Sequence, residues 1–186
     1  EDNPWGDRHL DAPPALLSAW LRRGLPFSRA PGVAYEYSNY GFAILGRIVA
    51  RVSRMEYRDY VDQQLLRPLG MTASTWEAAS IPPDRLAHGY RPAGDSWQED
   101  VPLADGTFGA MGGLYSSVRD LARYTAYHLS AWPPRDEPES GPLRRASLRE
   151  MQQSWRPARA YVRRRTVDAP LSLTVRGYGY GLSSAT

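Results

Sequence analysis

The chain has 186 residues, with 23 basic against 20 acidic side chains, a formal net charge of +3, and 42% hydrophobic and 11% aromatic content. Such a composition excludes a disordered chain and allows one core of ordinary size. No apolar run approaches the ~18–20 residues of a membrane span, and the lack of Cys removes disulfides, thiolate nucleophiles and Cys-based zinc sites. The first residues, Glu1-Asp2-Asn3-Pro4-Trp5, show no basic segment leading into an apolar one, so no export leader is visible. A basic balance raises nucleic acid as a partner. Here Arg22-Arg23, Arg144-Arg145 and Arg163-Arg164-Arg165 are scattered, with acids between them and no basic helix. We read them as solvated surface and expect no nucleic-acid partner.

In chain order, Asp11-Ala12-Pro13 resembles a helix start, with Asp as cap and Pro in the first turn. Leu16, Leu17, Trp20 and Leu21 then share a face, Arg22 and Arg23 suit the negative helix end, and Gly24 can stop it. Residues 25–36 are irregular. A second helix is expected from about Asn39 to Ser53, with Leu45, Ile48, Val49 and Val52 as its apolar stripe and Ser38 or Asn39 as its cap. A third, near 56–66, carries Tyr57, Tyr60, Val61 and Leu65 and ends at Pro68-Leu69-Gly70-Met71.

Residues 86–98 read as a short hairpin around Pro92-Ala93-Gly94-Asp95. Gly106, Gly109, Gly112 and Gly113 make a flexible loop. Ser117-Val118-Arg119-Asp120 then reads as a capping box with Asp in place of Glu. The helix it opens is expected to bury Val118, Leu121, Ala122, Thr125 and Leu129. Residues 133–142 are polar and proline-rich and are expected to form a flexible loop; a short helix over 146–154 follows. The charged stretch Arg156–Asp168 gives no clear element. Leu171, Leu173 and Val175 alternate with Ser172, Thr174 and Arg176, as in a strand. Tyr178, Tyr180 and Leu182 then alternate with Gly179 and Gly181, so another part of the chain should approach that bare backbone closely.

Two residues carry the chemistry that the sequence alone suggests. Tyr37 stands just before a helix N-terminus, whose positive dipole end favours a phenolate. It is a candidate general base that would need cations nearby to complete it. Asn39 offers one donor and one acceptor group, as a site gripping an amide requires. The plain structural alternative is that Tyr37 packs and Asn39 caps. Other constellations are weaker. There is no Gly-x-Ser-x-Gly nucleophile elbow and no phosphate loop. His9, His88 and His128 are far apart without partners at metal spacing; His9 with Asp7 and Asp11 suits a polar turn, and His128 a surface or interface. We therefore expect no metal and no cofactor.

Several phrases, in order, resemble the serine β-lactamase and penicillin-binding protein superfamily, in its class C β-lactamase, D-alanyl-D-alanine peptidase and esterase branch. Pro31-Gly32 through Tyr35-Glu36-Tyr37-Ser38-Asn39-Tyr40-Gly41 resembles the phrase around the second catalytic motif, Tyr-x-Asn, with Tyr35 in place of Phe. Leu66-Arg67-Pro68-Leu69-Gly70-Met71 resembles the Pro-Leu-Gly-Met segment, and Leu86-Ala87-His88-Gly89-Tyr90 an Ala-x-Gly-Tyr strand. Gly112-Gly113-Leu114 through Asp120-Leu121-Ala122 resembles Gly-Gly-Leu-x-Ser-Thr-x-x-Asp-Leu-Ala. Tyr178-Gly179-Tyr180-Gly181-Leu182 resembles Tyr-Gly-x-Gly-Trp, with Leu182 where Trp is usual.

The resemblance implies an α+β, β-lactamase/transpeptidase-like fold, here mainly the helical subdomain with a few antiparallel strands. It implies a serine hydrolase acting by an acyl-enzyme on a β-lactam, a D-Ala-D-Ala peptide or an ester. Tyr37 would be the general base, and Asn39 would hold the amide of a small-molecule or peptide substrate. The family's first motif is Ser-x-x-Lys, and residues 1–186 contain no Lys at all. Its third, Lys-Thr-Gly or His-x-Gly, is also missing after Tyr178-Gly179-Tyr180-Gly181. Residues 1–186 are thus expected to be a partial domain without the N-terminal nucleophile region and the third-motif strands, and inactive alone. A member of this family would be periplasmic or secreted. The alternative is a degenerate, non-catalytic β-lactamase-like binding module. With the third-motif strand missing, the strand edge at 171–184 is expected to lie open to pairing with a second copy.

Overall fold

The computed structural model describes residues 10–25, 27–102, 104–164 and 166–185, with the side chains of 156–158 excepted. The expected polar turn at His9 and Asp7 lies outside them. The chain divides into two compact units. The first takes residues up to Leu25 and Ser38–Arg123; the second takes the stretch ending at Tyr37 and everything from Tyr124 on.

The first unit begins with helix α1, Pro14–Arg23. Its N-cap is Pro13, without a side-chain cap bond, so the expected cap at Asp11 is not formed; with prolines at 13 and 14 the turn is preset by their fixed φ instead. Gly24, at φ 85°, ends it. Helix α2 runs Asn39–Ser53, as the sequence suggests. Its buried side is not the Leu45–Val52 stripe but Ala43 and Gly46: Leu45 is 55% and Val52 79% exposed. The reason is close approach. A Cβ at Gly46 would overlap that of Ala110, so only the small-residue face can meet the 3₁₀ turn Gly109–Met111. Leu10, Leu17, Ala43 and Phe108 form the core here, with Trp20, Leu21 and Tyr40 against it.

Helix α3, Tyr57–Val61, continues as one π turn over Asp62–Leu66. That wider turn makes Leu66, rather than the expected Leu65, the buried residue. Gly70, at φ 69°, turns the chain out of it. Strands β1 (Tyr90–Ala93) and β2 (Ser96–Glu99) form the expected hairpin, with Ala93 opposite Ser96 across Gly94-Asp95.

Helix α4 spans Val118–Leu129. The face expected to be buried is outward: Val118 is 85% and Leu129 66% exposed, while Asp120, Tyr127 and Ala131 are buried. The capping box forms by half. Asp120 donates its N–H to Ser117 Oγ at 3.2 Å. Its carboxylate turns inward instead of back to the cap: Oδ2 accepts from Ala73 N–H and Ser74 Oγ, both at 2.8 Å, and Oδ1 from Arg123 at 2.7 Å. A backbone bridge between Thr75 and Tyr115 holds the same two segments together.

In the second unit, helix α5 covers Arg145–Met151. The buried Arg145 reaches the carbonyls of Glu137 and Pro138 and pairs with Glu139, gripping the 133–142 loop. Strands β3 (Arg156–Arg163), β4 (Ser172–Tyr178) and β5 (Ser183–Ala185) form an antiparallel sheet in the order β3-β4-β5. β4 pairs with β3 along its length and with β5 only at Arg176–Tyr178. The close approach expected at Gly179 and Gly181 is present at Gly179 but not at Gly181, around which the space is open among the described residues. A Cβ on Gly179 would come within 2.5 Å of the Gln153 carbonyl oxygen and overlap that of Met151; one on Gly177 would overlap Ser154.

Candidate functional site

The two candidate residues fall in different units: Asn39 opens α2 in the first, and Tyr37 closes the first segment of the second. Ser38 has extended φ and ψ, and its Oγ accepts the Gly41 N–H at 3.0 Å. The cap is therefore Ser38 and not Asn39. Tyr37 precedes the cap and Asn39 is the first helical residue. Tyr37 is 65% exposed, whereas Asn39 is half-buried.

The other tyrosine of the phrase behaves differently. Tyr40 stacks 5.4 Å from Trp20, and burial raises its phenol pKa above the ordinary value. Its hydroxyl is buried with no hydrogen-bond partner among the described residues. Tyr40 is a core side chain, and Tyr37 is the phenol of this phrase that solvent or a substrate can reach.

In the second unit, Tyr35 and Tyr178 lie with ring centres 4.8 Å apart. The Tyr178 phenol is raised above its ordinary pKa, first by burial and then by the neighbouring phenols of Tyr35 and Tyr37. The structure thus gathers Tyr35, Tyr37 and Tyr178 on one unit. Nothing in the sequence signals this cluster: Tyr178 lies in a strand-like alternation with glycines, far along the chain from Tyr35 and Tyr37.

A second feature was not legible. In the first unit Asp105 is nearly buried, 3.6 Å from Arg58, which also lies 3.3 Å from Glu77. Burial pushes the Asp105 carboxyl up, while the Gly106 backbone and Arg58 pull it down. Arg58 and Asp105 stand between two cavities of about 340 Å³ and 720 Å³. Neither cavity is lined by Asn39. Among the described residues no three His, Asp or Glu converge as a metal-ligand set, and no helix is long and apolar enough to cross a membrane.

The mixed helices and small antiparallel sheets are those of the β-lactamase/transpeptidase-like fold. The chain belongs to the Beta-lactamase family, whose sequence profile matches residues 5–186. It is 36% identical over 99 residues to Beta-lactamase-like protein 2 of Dictyostelium discoideum, a match covering 53% of this chain and 18% of that protein. Among solved structures it is similar to an octameric penicillin-binding protein homologue from Pyrococcus abyssi, with TM-score 0.66 and 28% identity over 83% of this chain and 31% of the other. It shares the fold of a D-stereospecific amidohydrolase from Streptomyces sp., with TM-score 0.63 and 23% identity over 97% of this chain and 47% of the other. The chain therefore spans about a fifth of the curated relative and under half of these solved chains. The family is one of hydrolases.

Proposed function

We propose that residues 1–186 are the part of a serine hydrolase that supplies its general base, Tyr37, and its amide-binding residue, Asn39. The reaction is acyl transfer. Tyr37, as general base, takes the proton from a serine hydroxyl; the serine oxygen attacks the substrate carbonyl carbon, and the bond to the leaving group breaks as that group takes up a proton. Water then hydrolyses the ester of the acyl-enzyme. Asn39 holds the amide side chain of the acyl donor through its donor and acceptor groups. The substrate is a β-lactam, a D-alanyl-D-alanine peptide or a simple ester.

The observation that carries this reading is the division of labour at the start of α2. Ser38 performs the capping, Tyr40 performs the packing, and Tyr37 is left exposed beside a helix N-terminus. The helix cap and the core contact of this phrase are thus made by Ser38 and Tyr40. Residues 1–186 hold no Lys, so the Ser-x-x-Lys nucleophile is assigned to another part of the polypeptide. The outward apolar faces of α2 and α4 support this, since a folded protein does not leave such stripes bare without a partner.

Residues 1–186 alone should then be inactive, because a base without a nucleophile makes no acyl-enzyme. The test is to incubate them with a chromogenic cephalosporin, a p-nitrophenyl ester and a labelled penicillin. The expected result is no turnover and no mass shift; a stoichiometric covalent adduct would show that the nucleophile lies within residues 1–186. A polypeptide without Ser-x-x-Lys anywhere would make the chain a non-catalytic binding module.

A further inference from the structure

Strands β3 and β4 carry an arrangement that acyl transfer does not use. Their register sets Arg159 opposite Arg176, Tyr161 opposite Thr174 and Arg163 opposite Ser172. Directly opposed residues project from the same face, as do alternate residues along a strand. Arg159, Tyr161, Arg163 and Arg176 therefore share one face. The Arg163 guanidinium carbon lies 4.7 Å from the centre of the Tyr161 ring, and that of Arg176 lies 5.8 Å from it. The other face carries Ala160, Val162, Leu173 and Val175, so the charge is one-sided.

Like charges directly opposite each other destabilise a strand pair. Neither strand contains an Asp or Glu to offset them. Among the described residues Arg159, Arg163 and Arg176 are exposed and make no ion pair. The Tyr161 ring attracts two of the guanidiniums through its face, which orients them but leaves their charge in place. What would neutralise the cluster is an oxyanion with several acceptor oxygens, since the guanidinium fork matches phosphate and carboxylate geometry. A multiply charged phosphate suits three cations better than a single carboxylate does.

We propose that the Arg159–Tyr161–Arg163–Arg176 face is a binding site for a phosphate-class oxyanion. The test uses the full polypeptide and inorganic pyrophosphate, at constant ionic strength held with sodium chloride. Pyrophosphate at ten times its Kd should raise Tm by about 3–6 °C. The double variant R163Q/R176Q should lose that rise. Should the double variant fail to fold, R159Q must weaken pyrophosphate binding roughly tenfold. No rise in the wild type, an equal rise in the variants, or unchanged binding by R159Q would overturn the proposal. Vesicles distinguish the source of the phosphate. Binding to phosphatidylglycerol but not phosphatidylcholine vesicles, competed away by pyrophosphate, assigns a lipid headgroup; pyrophosphate binding without vesicle binding assigns a soluble phosphate.

Discussion

Ser38 Oγ accepts the backbone N–H of Gly41 at 3.0 Å, closing the first turn of α2 between Tyr37 and the body of the helix. This bond fixes where the helix begins, and so where Tyr37 leaves it. Ser38→Ala should cost about 1 kcal/mol of stability. Thermal melts check that value. Asn39→Ala should cost less than Ser38→Ala, because Ser38 supplies the cap.

How far the sequence reveals this structure differs from element to element. The bounds of α2 were legible because a cap residue and a periodic apolar run coincide there. Which side of α2 and α4 is buried was not. Periodicity tells which residues share a face, but not what lies against it. On α2 the small residues Ala43 and Gly46 meet the neighbouring turn, and the larger Leu45 and Val52 do not. Strand β3 was missed because its outward positions are Arg159, Tyr161 and Arg163, so charge masked a period of two. Tyr37 and Asn39 were legible as candidates from the family phrase. The tyrosine cluster was not, since Tyr178 lies 141 positions beyond Tyr37.

Asp120 should be the most sensitive polar position of the first unit. It is fully buried and accepts from Ala73, Ser74 and Arg123. Asp120→Ala removes the acceptor of the Ala73 N–H and leaves Ser74 Oγ with Ser116 alone, and should cost about 1–3 kcal/mol. Arg123 is half exposed, so Arg123→Gln should cost less than about 1 kcal/mol. Denaturant unfolding of both variants checks the ranking; equal losses would mean that the ion pair, not the backbone tie, holds the two segments.

Gly179 and Gly181 separate close approach from backbone freedom. At Gly179 a methyl group meets two carbonyl oxygens that belong to the backbone and cannot swing aside, so Gly179→Ala should cost about 1–3 kcal/mol. At Gly181 the space is open but φ is +76°, and Ala should cost about 1–2 kcal/mol through backbone strain alone. Hydrogen exchange tells them apart: Gly179→Ala should loosen the amides of both β4 and β5, and Gly181→Ala only those of the turn.

The His88–Glu99 contact, Nδ1 to Oε1 at 2.5 Å, ties the segment before β1 to the end of β2. Its hydrogen bond to Glu99, and then the Glu99 charge, raise the His88 pKa above the ordinary 6.5. A raised folded-state value means the stabilisation is fully present below the unfolded pKa. It is lost as pH rises through the folded one. Stability should thus fall modestly as pH rises from below 6.5 to above the raised value. The surface position keeps the effect small. Glu99→Gln should flatten this part of the profile, as followed by melts between about pH 5 and 8.

The proposed reaction depends above all on Tyr37 as the general base. The measurement that tests it most directly is the acylation rate of Tyr37→Phe, in the polypeptide that carries Ser-x-x-Lys, beside its melting temperature. With Tyr37 as the base, acylation by a penicillin or an activated ester should fall by about 10²–10⁴-fold while Tm is unchanged. Acylation at the wild-type rate by the folded variant would contradict it, and would leave Tyr37 as a packing residue beside Tyr178 and Tyr35.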